Sequence, residues 1–337
     1  MRTAPTLLAS ACALALLMAG CSPTGDDSER VEPTAQPVYP VLRTYPEVPV
    51  IEDIEYGVAD DGQPLLLDAC FPTDNGIDDL ESEPRPAIVS IHGGSWMRGD
   101  KANLNWRAVC QWLASEGFVV VSVNYRLAPA SVFPAQLDDV SQAVGWLRDP
   151  VTVERYNLDP DRIGAFGGSA GGNLAALLGT AGTGDWTSGS RVAAVAELSG
   201  PTDLRERIPT TDSYNQDFGD VQLAYTGCAE LAGCAAAAAA SPITSVDDSD
   251  PPFFVGHSVD EFIPLSQSDD FVTELRSVGV PVTYVTVEGS LHSIGMLDAA
   301  MQQRIVAFFR DTLSLNAVTR VTPPDADADA DADEASQ

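Results

Sequence analysis

Basic residues are scarce in this chain. Only 18 Lys and Arg stand against 49 Asp and Glu over 337 residues, a formal net charge of −31. Phosphate backbones are gripped by clustered cations, so the balance argues against nucleic acid as a partner. It argues equally against electrostatic adhesion to anionic lipid headgroups. What the acidity does supply is a soluble, self-repelling surface. Histidine is rarer still, with His92, His257 and His292 alone. Any chemistry that needs an imidazole base must choose among these. Long apolar runs are missing too: "LLASACALALLMAG" near the start falls short of the ~20 residues of a membrane-spanning helix. Six cysteines occur without a C-x-x-C pair, so a zinc site is not expected.

What is present at the start is a targeting pattern. Arg2 is the only charge in residues 1–20, and the apolar run behind it fits a secretory signal peptide. The run ends in "LMAGC", which resembles a bacterial lipobox, with Ala19 and Gly20 before Cys21 and Met18 where leucine is usual. The resemblance implies cleavage before Cys21, lipidation of that cysteine, and anchoring to the bacterial cell membrane outside the cytoplasm. Secretion after cleavage nearby is the alternative. Residues 21–48 are rich in Pro, Ser, Thr, Asp and Glu and read as a disordered tether. Residues 316–337, alternating Asp and Ala from Asp325, read as a disordered acidic tail. Once Cys12 leaves with the signal peptide, Cys70, Cys110, Cys228 and Cys234 remain beside Cys21. Four cysteines in an oxidising compartment suggest two disulfides. Cys228 with Cys234 would close a small loop and leave Cys70 to Cys110, although the sequence permits three connectivities.

Residues 49–315 read as one domain. Short β-branched runs bounded by Gly, Pro and Asp mark eight strands, from "VIEDIEYGV" to "VTYVTVEG". The first two suit an antiparallel hairpin through "ADDGQP". The middle runs are continuously apolar, as strands buried on both faces are. Helical patterns alternate with them, including "NWRAVCQWLASEG", "PAQLDDVSQAVGWLRD" and "AAMQQRIVAFFRDTLS". Strand–helix alternation predicts an α/β fold, a mostly parallel eight-stranded sheet with helices on both faces. Residues 201–250 break the rhythm and read as a lid-like insertion near the carboxyl edge of the sheet, where such folds keep their ligand crevice.

The chemistry centres on "AFGGSAGGNLAA" at residues 165–176. A phosphate-binding loop would need Lys and Ser/Thr where Asn173 and Leu174 stand. A dinucleotide fingerprint would need glycine where Ser169 stands. The stretch does fit G-x-S-x-G between a strand and a helix, the setting of a nucleophile elbow. Ser169 is then the nucleophile, and the Ala170 N–H points at any oxyanion formed there. A serine needs a base, and His292, between the last strand and the last helix, occupies the expected place. Asp260, at the carboxyl end of the strand "PFFVGHSV", completes the order Ser…Asp…His and would orient the imidazole. Neighbouring Glu261 is the less favoured choice. His257 reads as shaping its loop. "IHGGSW" matches an oxyanion motif in which Gly93 and Gly94 join Ala170 as amide donors and His92 shapes the loop. Ser95 lacks the elbow context of a nucleophile.

Together "HGGSWMRGDK", "FGGSAGGNLA" and "HSVDEFIPLSQS…GSLHSI" resemble the α/β-hydrolase carboxylesterases of the hormone-sensitive-lipase-like and bacterial feruloyl-esterase-like group. The resemblance spans about residues 50–315. It implies an α/β-hydrolase fold and a serine carboxylesterase acting on small-molecule esters through an acyl-enzyme, with no metal or cofactor. Amide hydrolysis of the arylformamidase or peptidase kind is an alternative, as is a non-catalytic surface-binding protein that uses the same cleft. Two features depart from the group's pattern. Gly168 precedes the serine where many relatives carry Asp or His. The step from His257 to Asp260 is one residue shorter than the commoner H-G-x-x-D.

Overall fold

The computed structural model describes residues 42–73, 83–212 and 215–313. The signal peptide, Cys21 and the acidic tail lie outside them. Among the described residues eight strands form one sheet, ordered β1-β2-β4-β3-β5-β6-β7-β8. They are β1 (Val50–Val58), β2 (Pro64–Cys70), β3 (Arg85–Ile91), β4 (Val119–Val123), β5 (Leu158–Gly168), β6 (Ala194–Leu198), β7 (Phe253–Ser258) and β8 (Val282–Val287). β1 pairs antiparallel with β2 and β2 with β4, while every later pairing is parallel. The expected α/β-hydrolase architecture and opening hairpin are therefore present.

Strand alternation feeds two cores, because successive side chains point to opposite faces. Val119, Val121 and Val123 of β4 enter one apolar cluster and Val120 enters the other. Ala165 and Phe166 of β5 divide in the same way. The first cluster is covered by α2 (Ala135–Arg148), α4 (Ala170–Thr180) and α7 (Ser266–Ser277), the second by α1 (Leu104–Ser115) and α8 (Ala299–Thr312). Fully buried Phe166 lies 6.3 Å from Trp106 and 6.2 Å from Trp112, centroid to centroid. Removing such a ring costs about 3–5 kcal/mol. Cys70 at the end of β2 is joined to Cys110 in α1, and Cys228 to Cys234. The first bridge spans 40 residues of sequence and constrains the unfolded chain by about 4 kcal/mol in the chain-entropy account.

Three short helices were not expected: α3 (Pro150–Tyr156), α5 (Phe218–Thr226) and α6 (Ala235–Ala239). Asp149 caps α3 by accepting from the Val151 N–H at 2.9 Å, with Pro150 at the first position, where a missing N–H is harmless. One expected boundary needs correction. The tether placed at 21–48 ends earlier than its composition suggests, since Leu42 and Val48 are buried in the second core. The segment 201–250 packs as a buttress among the described residues. Its Tyr225 stacks on Trp96 at 4.1 Å with 2° between the planes. Asn173 of α4 donates to the carbonyls of Pro201 and Ala240 at 2.9 and 3.0 Å.

The sheet order changes direction at β3, whose neighbours are β4 on one side and β5 on the other. The carboxyl ends of β3 and β5 thus meet at a topological switch point, where an open α/β sheet leaves a crevice.

Candidate active site

β5 ends at Gly168 and α4 begins at Ala170, so Ser169 alone turns the chain, with φ 58° and ψ −126°. Such a backbone costs about 1–3 kcal/mol and persists only when its surroundings over-determine it. They do so here: the Ser169 N–H donates to Leu198 O at 2.8 Å, and its carbonyl accepts from the Asn173 N–H at 3.0 Å. Strand and helix also approach too closely for side chains. A Cβ on Gly167 would stand 2.1 Å from Gly171 O, and one on Gly171 would stand 2.1 Å from Ile91 O. Ala170, the first residue of α4, presents its N–H at the positive end of the helix dipole.

The loop 92–101 follows β3. His92 is buried, and burial pushes its imidazole down to about 4, against the opposing pull of the Gly93 carbonyl and of Asp100. It is therefore neutral, and Nδ1–H donates to Gly93 O at 2.9 Å. The Tyr125 hydroxyl donates to His92 O at 2.9 Å while its ring stacks on the imidazole. Gly94 sits at φ 127°, where a Cβ would come 2.1 Å from Arg98 O. The far end of the loop is held by Lys101, buried, whose ammonium reaches Asp68 Oδ1 at 2.5 Å and Asp53 Oδ1 at 2.7 Å. Ser95 Oγ donates to buried Asp212 at 3.0 Å, which ties the hydroxyl to the 201–250 buttress.

His292 is buried in the turn between β8 and α8. Its Nδ1–H donates to Glu261 Oε2, while buried Nε2 has no hydrogen-bond partner among the described residues. The carboxylate that orients the imidazole is thus Glu261 and not Asp260. The cause is strand register. Val259 and Asp260 continue the pairing with the β8 side, their N–H groups donating to Val287 O and Gly289 O at 2.9 Å each. That leaves Asp260 exposed, and the chain then turns so that the Glu261 side chain is fully buried. Glu261 Oε1 lies 3.1 Å from His257 Nε2. His257 shapes the turn: Nε2–H donates to Ile263 O at 2.9 Å, and the Ser268 hydroxyl meets Nδ1 at 2.8 Å. The signal for Glu261 was in the sequence, since counting H-x-x-x-acid from His257 lands on it.

A second buried carboxyl lies beneath the elbow. Glu197 on β6 accepts from the Gly200 N–H at 2.7 Å through Oε2. Burial pushes it up to about 8, opposed by that N–H and reinforced by the charge of Glu261. It is a neutral acid at pH 7, and sequence reasoning did not single it out.

Ser169, His292, Gly93 and Gly94 line one cleft of about 260 Å³, with Trp106 and Phe262 among its apolar walls. The Phe262 ring packs on the imidazole at 4.3 Å. No described residue of 201–250 lines it. No cluster of His, Cys, Asp and Glu suited to a metal occurs among the described residues. The arrangement brings together the parts that activated-serine chemistry requires: a hydroxyl on a strained turn, an imidazole held by a carboxylate at one nitrogen, and amides at a helix N-terminus and a glycine loop.

Residues 77–275 match the BD-FAE family model. Among curated proteins, esterase LipC of Mycobacterium tuberculosis is 33% identical over 234 residues, 66% of this chain and 56% of LipC. Esterase LipQ of the same organism is 29% identical over 85% of this chain and 67% of its own length. The chain spans about half the length of LipC and 24% of the bovine arylacetamide deacetylase, which it also matches. Among solved structures, the esterase Est2 of Thermogutta terrifontis superposes with TM-score 0.62 at 23% identity, over 83% of this chain and 99% of that one. A carbohydrate esterase from gut microbiota gives 0.63 at 23% identity, over 79% and 96%. At these identities the two structures speak for the fold.

Proposed function

The chain belongs to the BD-FAE family, and we propose that it is a serine carboxylesterase with Ser169 as nucleophile, His292 as general base and acid, and Glu261 as the residue that orients His292. The observation that carries this reading is His292: one ring nitrogen is committed to a buried carboxylate and the other is unpartnered, in the cleft that Ser169 lines. Ser169 Oγ attacks the ester carbonyl carbon and passes its proton to Nε2. The Nδ1–H bond to Glu261 selects the tautomer that leaves Nε2 free to accept. The oxyanion is received by the N–H groups of Gly94 and Ala170, with Gly93 beside them. His292 then returns the proton to the leaving alcohol. Water, deprotonated by the same nitrogen, releases the acid and frees Ser169. Loss of one oxyanion donor costs about 10²–10³ in rate at such sites.

The cleft volume favours small esters. About 260 Å³ lies below the ~300–1,000 Å³ of pockets for drug-sized ligands. Acetyl and propionyl esters fit this space better than long acyl chains. The lipobox-like "LMAGC" supports a lipid anchor at Cys21 and work outside the cytoplasm. The two disulfides agree with an oxidising compartment.

A fluorophosphonate probe tests the nucleophile. Wild type is expected to be labelled and Ser169→Ala not; labelling that persists in Ser169→Ala sinks the assignment. A series of p-nitrophenyl esters from acetate to palmitate tests the cleft, with kcat/KM expected to fall beyond butyrate. For the anchor, Cys21→Ser is expected to move the protein from the membrane fraction to the soluble one. Unchanged fractionation would count against lipidation.

A further inference from the structure

β8 ends at Val287 and α8 starts at Ala299. Between them His292 stands in a connection whose regular structure is one short 3-10 turn, Ser293–Met296. Such a stretch does not by itself fix the direction of a side chain. Yet a general base must be aimed within a fraction of an ångström. Glu261 restrains the outer end of the imidazole, while its root at Cα is set by the two peptide planes on either side.

Both planes are pinned, each by a serine. The carbonyl of Leu291, in the peptide before His292, accepts from Ser258 Oγ at 2.5 Å. The N–H of Ser293, in the peptide after His292, donates to Ser199 Oγ at 3.0 Å. Both serines are fully buried. Ser258 ends β7, and Ser199 follows directly on β6. These strands also hold the nucleophile's surroundings, since Leu198 O accepts from the Ser169 N–H and Gly256 O from the Ser199 N–H at 2.9 Å. Ser199 occupies φ 55° and Ser293 φ 58°, so two left-handed residues face each other across this bond. The bond sets the shape of a backbone that would otherwise relax.

We propose that Ser199 and Ser258 are positioning residues that clamp the two peptide planes bounding His292 and so aim its imidazole at Ser169. The proposal rests on the Ser169–His292 reading above. The hydroxyls touch neither substrate nor the reacting atoms. Their effect is on how often Nε2 sits within reach of Ser169 Oγ, so their loss should lower kcat and spare KM.

The test uses Ser199→Ala, Ser258→Ala and the double variant, with p-nitrophenyl acetate kinetics, melting temperature and the rate of Ser169 labelling by a fluorophosphonate. Each single change is expected to lower kcat and the labelling rate about 10-fold, and the pair about 10²-fold, with KM within twofold. Ser258→Thr keeps a hydroxyl and should restore most of the rate. Ser199→Gly relieves the positive φ while removing the hydroxyl, so it keeps the test valid if Ser199→Ala folds poorly. The proposal is overturned if kcat and labelling stay within twofold of wild type. It is also overturned if they fall only in proportion to the folded fraction, or if KM carries the change. Labelling that survives Ser169→Ala would instead remove the parent reading, so the two failures are distinguishable.

Discussion

The turn after β5 and the turn after β7 each carry a group of the proposed triad, yet they are specified in opposite ways. Around Ser169 the backbone leaves no choice, because side chains at 167 and 171 would collide with carbonyl oxygens 2.1 Å away. After β7 no comparable collision selects between two adjacent acids. Pairing of Asp260 N–H with Gly289 O decides which carboxylate turns outward and which turns in. A steric constraint is written in residue type and can be read locally. A register constraint depends on partners distant in sequence, here Val287 and Gly289, and cannot.

Breaking the comparison at its most sensitive point means neutralising each acid in turn. Glu261→Gln is expected to lower kcat about 10⁴-fold, the scale seen when a triad acid loses its charge. Asp260→Asn should remain within about twofold. Equal effects on p-nitrophenyl acetate hydrolysis would erase the distinction between the turns.

The steric side is sharpened by two glycines of unequal tolerance. Gly167→Ala meets backbone that cannot move aside and should cost several kcal/mol, read as a large drop in melting temperature or loss of soluble protein. Gly168→Ala meets side chains alone, Ser293 Oγ at 2.0 Å and Cβ at 3.2 Å and the Trp106 ring at 3.5 Å, and the hydroxyl, the worst of these contacts, is able to rotate. Its expected cost is about 10-fold in kcat. The cause is a push on the residue after His292, so Ser293→Gly in the same chain should recover part of the loss.

The smallest effect concerns Glu197, which lies between the two turns. A free glutamate ionises near 4.5, and this one is held up to about 8. Between those values the folded state keeps a proton that the unfolded state has released. Raising the pH therefore favours unfolding, and the penalty is complete above the folded value. Glu197→Gln cannot ionise and can still accept from the Gly200 N–H. Its melting temperature should exceed that of wild type by roughly 5 °C at pH 9, with the gain vanishing below about pH 4.5. An equal gain at pH 4 and pH 9 would mean that ionisation is not the cause.

The same division explains what was legible in the sequence. The elbow, the His92 loop and the strand–helix alternation rest on local sterics and periodicity, and the structure places them as their residues suggest. The acid was misassigned by one position, although the spacing from His257 pointed to Glu261. The buttressing role of 201–250 was not legible. It depends on Trp96 meeting Tyr225 and on Asn173 reaching Pro201 and Ala240, contacts made only once the sheet is assembled. Ser199, Ser258 and Glu197 belong to unremarkable strand ends, and only the folded chain shows what they face.

The ion cluster at the end of the glycine loop has a practical corollary. Lys101 is the only lysine in the sequence, and it is buried against Asp53 and Asp68. Reagents that seek amines, among them succinimidyl dyes, aldehyde crosslinkers and activated resins, find no exposed side-chain amine on the native protein. Once the fold opens they find one. Modification at this position would therefore report unfolding of the glycine loop, and immobilisation through side chains can draw instead on carboxylates, which the sequence has in excess.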